Sequence, residues 1–317
     1  MRAATILATA IVTAAIAAGS VPGAPMAGAR IAFTYNKAIY VIGADGSGLR
    51  RVTHDKASDG GIAWSNDGKL LVFGRYTGNK GCGEDQSRGD LYLIGADGKG
   101  ERRLTSTACM YATPRDPAFA PKGQTLAFVD DKGVLLAKAP AWKPRLISDA
   151  GLFPSWAPDA RRLVVANGSD LETLDTVTGA KHKVATGDFG VWSHKGNSLA
   201  YVSGTSLLLI HPPGGPIRRL ASASAGSSFD NITWSPGDDR IAFSTSTGSL
   251  KSTSWVVTVA NGKLLKLGAG AFPAWDPDGT MLSLDVGNFS YLYLVRADGS
   301  GRRRLTKGFG AVWAPVP

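Results

Sequence analysis

The chain is poor in the residues and patterns that most enzymes use. Its 317 residues include only two cysteines and four histidines, and no Gly-x-x-x-x-Gly-Lys loop, His-Glu-x-x-His or Cys-x-x-Cys occurs. These absences set aside phosphate-loop hydrolases, helical zinc proteases and dithiol redox proteins. No serine sits in a Gly-x-Ser-x-Gly elbow, the setting that exposes a hydrolase nucleophile. Apolar residues at helical spacing are almost missing, and beyond the N-terminal segment no stretch is long and apolar enough to span a bilayer. Charged residues make up 19% of the chain against 44% hydrophobic, which excludes a disordered polyelectrolyte.

Glycine is the residue in excess, with 40 copies, well above the usual ~7%. There is no Gly-x-y period and no Ser/Gly linker, so the glycines read as turns between many short strands. The N-terminus stands apart. Met1-Arg2 is followed by an uncharged Ala/Ile/Thr/Val run, and the next charge is Arg30. Small residues at Ala15-Ile16-Ala17 and Ala27-Gly28-Ala29 offer cleavage sites, so residues 1–29 read as a secretory signal peptide. The other reading is a retained anchor, but the run is Ala-rich and broken at Gly19, Pro22, Gly23 and Pro25. After cleavage no stable membrane span is expected. In an oxidising compartment Cys82 and Cys109 are expected to form a disulfide, with two unpaired thiols as the alternative.

A repeat runs through residues 30–317. Phe272-Pro273-Ala274-Trp275-Asp276-Pro277-Asp278-Gly279 has relatives at 60–73, 115–128, 152–165, 188–201 and 230–243, and a truncated copy at 308–315. The anchor aromatics are Trp64, Phe119, Trp156, Trp192, Trp234, Trp275 and Trp313, at spacings of 55, 37, 36, 42, 41 and 38. Between them lies an apolar run, a tight turn, then basic residues and Leu-Thr, as in 91–105 and 292–306. Asp97-Gly98, Asp298-Gly299 and Asn261-Gly262 supply the positive φ that short hairpins need. Each unit therefore reads as four strands. Four strands per ~40 residues is the pattern of a β-propeller blade. The fold expected is all-β, a single propeller domain over 30–317 with seven blades; a misread copy would make it six or eight. Arg30 starts at a second strand and the last copy supplies only a first strand, so both termini should build one blade and close the ring.

The repeat Pro-x-Trp-Ser-Pro-Asp-Gly-x-x-Leu-Ala-Phe, followed by an Asp-Gly turn and Arg-Arg-Leu-Thr, resembles the TolB-type propeller repeat. The nearest copies are Thr233-Trp234-Ser235-Pro236 and Pro273 to Gly279. The resemblance covers nearly all of residues 30–317. In TolB an α/β domain precedes the propeller; the residues before Arg30 leave no room for one, so a stand-alone propeller is expected here. The copies diverge at Ala160, Lys122, Lys195 and Gly237-Asp238-Asp239.

Residues just before each anchor enter the innermost strand and can reach the mouth of the central channel. They include Asp59, Asp116, Asp188 and Asp230, with Arg115 and Asn231 beside them. A ring of carboxylates can dock a basic segment or hold Ca²⁺. The same loops carry Phe153, Phe189, Phe229, Phe272 and Phe309, side chains suited to anchoring a partner. The bland reading of each is an Asp that caps its own turn and a Phe packed between blades. The net charge is +10, and basic pairs recur at Arg50-Arg51, Arg102-Arg103, Arg218-Arg219 and Arg302-Arg303-Arg304 on the expected outer strand. They guard a sheet edge or attract an anionic surface polymer. No aromatic-interleaved basic motif points to nucleic acid. The sequence therefore leads to a secreted or periplasmic, monomeric, non-catalytic scaffold. It would hold an envelope protein or peptide at the channel-mouth loops and need no cofactor. The alternative is a calcium-dependent, lactonase-like hydrolase with its metal in the channel.

Overall fold

A computed structural model describes residues 28–78, 88–106, 115–130, 132–247 and 251–315. Among the described residues no helix forms, and none is therefore long and apolar enough to cross a membrane. The strands assemble into seven antiparallel four-stranded sheets, the blades of a seven-bladed propeller. Blade 1 is built from both ends of the chain, in the order Phe309–Trp313, Arg30–Tyr35, Ala38–Gly43 and Arg50–Arg51. Its closing pairs are Ile31 with Trp313, Ala32 with Val312 and Thr34 with Phe309. Ring closure thus pairs the last strand of the chain with the first described one and completes the seventh blade.

The other blades follow in chain order, and their inner strands are the ones that matter for the site. These are Ser58–Trp64 in blade 2, Arg115–Phe119 in blade 3, Leu152–Trp156 in blade 4, Phe189–Trp192 in blade 5, Ser227–Trp234 in blade 6 and Ala271–Trp275 in blade 7. Only strands nearest the axis can meet all round a ring, and these inner strands touch one another from blade to blade through the full circle. The second strands are apolar on both faces because a neighbouring blade covers each face. In Arg162–Asn167, for instance, the four residues Leu163 to Ala166 are all buried. The outermost pairs, such as Arg50–Arg51 and Arg102–Arg103, are exposed. Blade 2 accounts for the 55-residue spacing by a longer hairpin: its middle strands run Leu70–Gly78 and Arg88–Gly95. Cys82 and Cys109, the expected disulfide, and residues 1–27 of the expected leader lie outside the described residues.

Each anchor tryptophan is a seam between blades. The indole N–H of Trp64 donates to Val312 O at 3.1 Å, Trp156 to Ala118 O at 2.9 Å and Trp234 to Val191 O at 3.1 Å. Trp275 donates to Thr233 O at 3.2 Å and Trp313 to Ala274 O at 3.1 Å. The acceptor is always the residue just before the anchor of the preceding blade. Two seams depart from the rule. Phe119 has no N–H to give, and the buried Trp192 indole N–H finds no partner among the described residues. An arginine then covers several of these rings: Arg30 lies over Trp64, Arg162 over Trp192 and Arg240 over Trp275. Arg30 and Arg240 also donate to the carbonyls of Gly68 and Gly279 in the next blade's turn.

The basic outer pairs form a second set of seams. Arg145 donates to Thr176 O at 3.1 Å, Arg303 to Ala44 O at 2.6 Å, Arg50 to Ala96 O and Arg218 to Val259 O. Each reaches from one blade to a carbonyl of the next. A guanidinium with several fixed donors suits this better than a lysine ammonium. The recurrence of arginine at this place is thereby explained by packing of the ring.

Candidate functional site

The chain enters every inner strand at one rim of the propeller and reaches the anchor aromatic at the opposite face. The position three residues before the anchor therefore samples that rim once per blade. It holds Gly61, Asp116, Phe153, Phe189, Asn231, Phe272 and Gly310. A β-bulge or register irregularity falls in this stretch in every blade but blade 5, turning a side chain out of the ladder. At four blades the backbone is left-handed there: Gly61 (φ 62°), Phe153 (φ 53°), Phe272 (φ 48°) and Gly310 (φ 65°). Glycine takes this conformation freely, whereas a phenylalanine held in it stores about 1–3 kcal/mol.

The carboxylates of the rim are placed one by one, and each has its own structural partner. Asp59 is buried, and its two oxygens accept from Arg75 at 2.8 and 3.2 Å. Arg75 is also held by Glu101 and lies over the rings of Phe73 and Tyr92. Burial works against that guanidinium's charge, but the Asp59 and Glu101 hydrogen bonds outweigh it and raise its pKa above the ordinary value. Asp188 is exposed and accepts the Gly204 N–H at 3.0 Å, capping a hairpin turn. Asp230 accepts from Ser246 Oγ at 2.6 Å. Arg115 and Asp116 lie on an inner strand, and their side chains fall outside the described residues. Among the described residues no three His, Cys, Asp or Glu side chains converge as a metal site would need. Among the described residues Asp59, Asp188 and Asp230 thus stand as separate groups, each with its own partner.

The aromatic residues do come together. Phe153 and Phe189 meet across the seam of blades 4 and 5 at 6.0 Å, both half-buried. Phe272 of blade 7 contacts Phe289 at 5.8 Å, and Phe289 contacts Phe309 of blade 1 at 6.2 Å. These three are 41%, 37% and 39% exposed, where phenylalanines elsewhere in the blades, such as Phe33, Phe73 and Phe128, are sealed in the core. Tyr35, 38% exposed, extends the patch along blade 1. Phe289 sits in the turn after Met281–Val286, itself left-handed at φ 62° beside Asn288 at φ 52°. Phe289 escaped the sequence reading because it belongs to a different loop of the blade from the one before the anchor. Its only signal was a phenylalanine in the Gly287-Asn288 turn.

Two polar nodes hold the backbone beneath these rings. Asn231 donates to Pro273 O at 3.3 Å and accepts from Ser244 Oγ at 3.0 Å, while Ser244 Oγ accepts the Phe272 N–H at 3.2 Å. At the matching place in blade 7, Asp285 takes the role of Ser244. One of its oxygens accepts the Gly310 N–H at 2.9 Å, and the other is buried without a partner among the described residues. Burial pushes this carboxyl up to about 7, against the Gly310 and Ala311 N–H groups, which favour the charge. A second acid is displaced on the opposite face. Burial and the Asp278 carboxyl push Asp276 up to about 6 where other blades have Ser65, Ser193 or Ser235.

No protein-family model matches the chain. Its fold is similar to that of TolB from Acinetobacter baumannii, with a TM-score of 0.57 and 15% identity over 91% of this chain and 67% of that one. It is also similar to an oligogalacturonate lyase in complex with manganese, with a TM-score of 0.64 and 14% identity over 88% of this chain and 85% of that one. A chain of a nidogen/laminin complex matches with a TM-score of 0.56 and 13% identity over 90% of this chain and 98% of that one. The likenesses include an enzyme and a member of a protein complex. At such identities they carry the propeller fold and no activity.

Proposed function

We propose that the chain is an exported, non-catalytic binding platform of the cell envelope, which holds a protein or peptide segment across one rim of its propeller. The observation that carries this reading is the contiguous patch of Phe272, Phe289 and Phe309, exposed on one rim with two of its three members in left-handed backbone. Exposed phenylalanine contributes little to folding, and strain of this kind persists where surrounding structure imposes it. Loops at one end of a rigid scaffold commonly carry binding. The proposed export rests on the layout of residues 1–29.

The test is site-specific photo-crosslinking in envelope extract, with the crosslinker at position 289 or at position 177. Val177 is 71% exposed in a turn on the opposite face, so it controls for exposure alone. One discrete product from position 289 and none from 177 is expected. Equal products from both positions would remove the rim from the account.

A further inference from the structure

The rim patch is not electrically neutral. Phe289 stands between two hollows of about 350 and 360 Å³, one reaching Tyr35, Lys307 and Phe309, the other reaching Lys251 and Ala271. Lys37 follows Asn36 on the border of the first. Lys37, Lys251 and Lys307 are exposed, and none forms an ion pair among the described residues. The segments around the two hollows, 35–37, 251–253, 269–272, 285–291 and 307–309, contain a single carboxyl, the buried Asp285. The nearest half-exposed carboxylate is Asp230, whose oxygens are engaged by Ser246 and by Ser252 at the wall of the second hollow. An apolar surface with three lysines at its border and that one engaged carboxylate is complementary to an occupant that is apolar at its centre and anionic at its edges.

We infer that the seam of blades 7 and 1 docks an acidic protein segment, with an apolar side chain on each side of Phe289 and carboxylates reaching Lys37, Lys251 and Lys307. The inference rests on the rim reading above and adds the chemistry of the partner. A second copy of this chain fits poorly, since a two-fold contact would set the lysines of both copies face to face. A lipid surface is flat and would meet the phenyl edges while leaving both hollows unfilled. A peptide can send side chains into them.

The test uses the chain from Arg30 onward and a phage-displayed library of random dodecapeptides, counter-selected on a Phe289→Ser/Phe309→Ser variant. The expected result is enrichment of peptides in which Asp or Glu flanks two apolar residues. A fluorescent synthetic copy of the best peptide should lose about tenfold or more in affinity on Phe289→Ser. It should also weaken on Lys307→Glu, and Lys in place of the peptide's acids should restore binding to that variant. Melting temperatures of both variants confirm folding, and the charge-swapped pair stays informative if the serine variants are unstable. Rim-dependent peptides without carboxylates would overturn this inference and leave the rim reading standing. Enrichment that ignores the rim variant would overturn both. Phe289-dependent binding to phosphatidylglycerol vesicles, with no peptide competing, would replace the acidic segment by a membrane.

Discussion

The anchor position and the position three residues before it lie on the same seven strands and follow opposite rules. The anchor is aromatic in every blade, buried in five and partly buried at Phe119 and Trp313, and in five blades tied by its indole to the preceding one. The earlier position changes from glycine to aspartate, asparagine and phenylalanine around the ring, and takes left-handed backbone in four blades. One position is fixed by what the ring needs to close. The other is free of that demand, and two phenylalanines there are held in strained left-handed backbone.

Truncating an anchor should break this contrast most severely. Trp234→Ala removes a buried ring and a seam hydrogen bond, and should cost about 3–5 kcal/mol in chemical denaturation. Next in size is a dependence on pH. Asp285 and Asp276 hold protons in the folded chain up to about 7 and 6, whereas in the unfolded chain they release them near ~3.9. Between these values the native state binds more protons, so stability falls as pH rises from about 4 to about 7 and then levels off. Asp285→Ser should remove about 2–4 kcal/mol of that fall, and its hydroxyl can still accept the Gly310 N–H as Ser244 accepts that of Phe272. A stability profile of this variant as steep as the parent's would refute the assignment.

Subtler changes separate the seams from one another. Trp234→Phe and Trp192→Phe both shrink a buried ring, but only the first deletes a satisfied N–H, so Trp234→Phe should cost about 1 kcal/mol more than Trp192→Phe. Equal losses at the two positions would show that the indole hydrogen bonds do not distinguish the blades. The smallest effect is expected at the rim. Phe272→Gly relieves a strained backbone and sacrifices an exposed ring contact, so stability should stay within about 1 kcal/mol of the parent.

The fold was legible because its determinants are periodic. Anchor, Asp-Gly turn and outer arginines recur with the blade, and the mismatch of the two chain ends foretold the closing sheet. The site was legible only in part, because a rim is by construction where the repeat stops constraining the residue. The spacing could place Asp59 and Asp230 near the mouth, but Arg75 and Ser246, which engage them, come from the neighbouring strand of the same blade. Phe272 and Phe309 were found from their place before an anchor. Phe289 lies between them only through the turn of the folded hairpin. The outer arginines show the same limit: their charge is plain in the sequence, whereas their acceptors are backbone carbonyls, which a sequence does not display.

The measurement that bears most directly on the account is the affinity of the partner crosslinked at position 289 for three proteins: the parent, Phe289→Ser/Phe309→Ser, and Trp192→Phe. The account predicts that the rim variant binds at least about 100-fold more weakly at an unchanged melting temperature, while Trp192→Phe binds as the parent does. Full affinity in the rim variant, with its fold intact, would contradict the claim that this patch is the binding site.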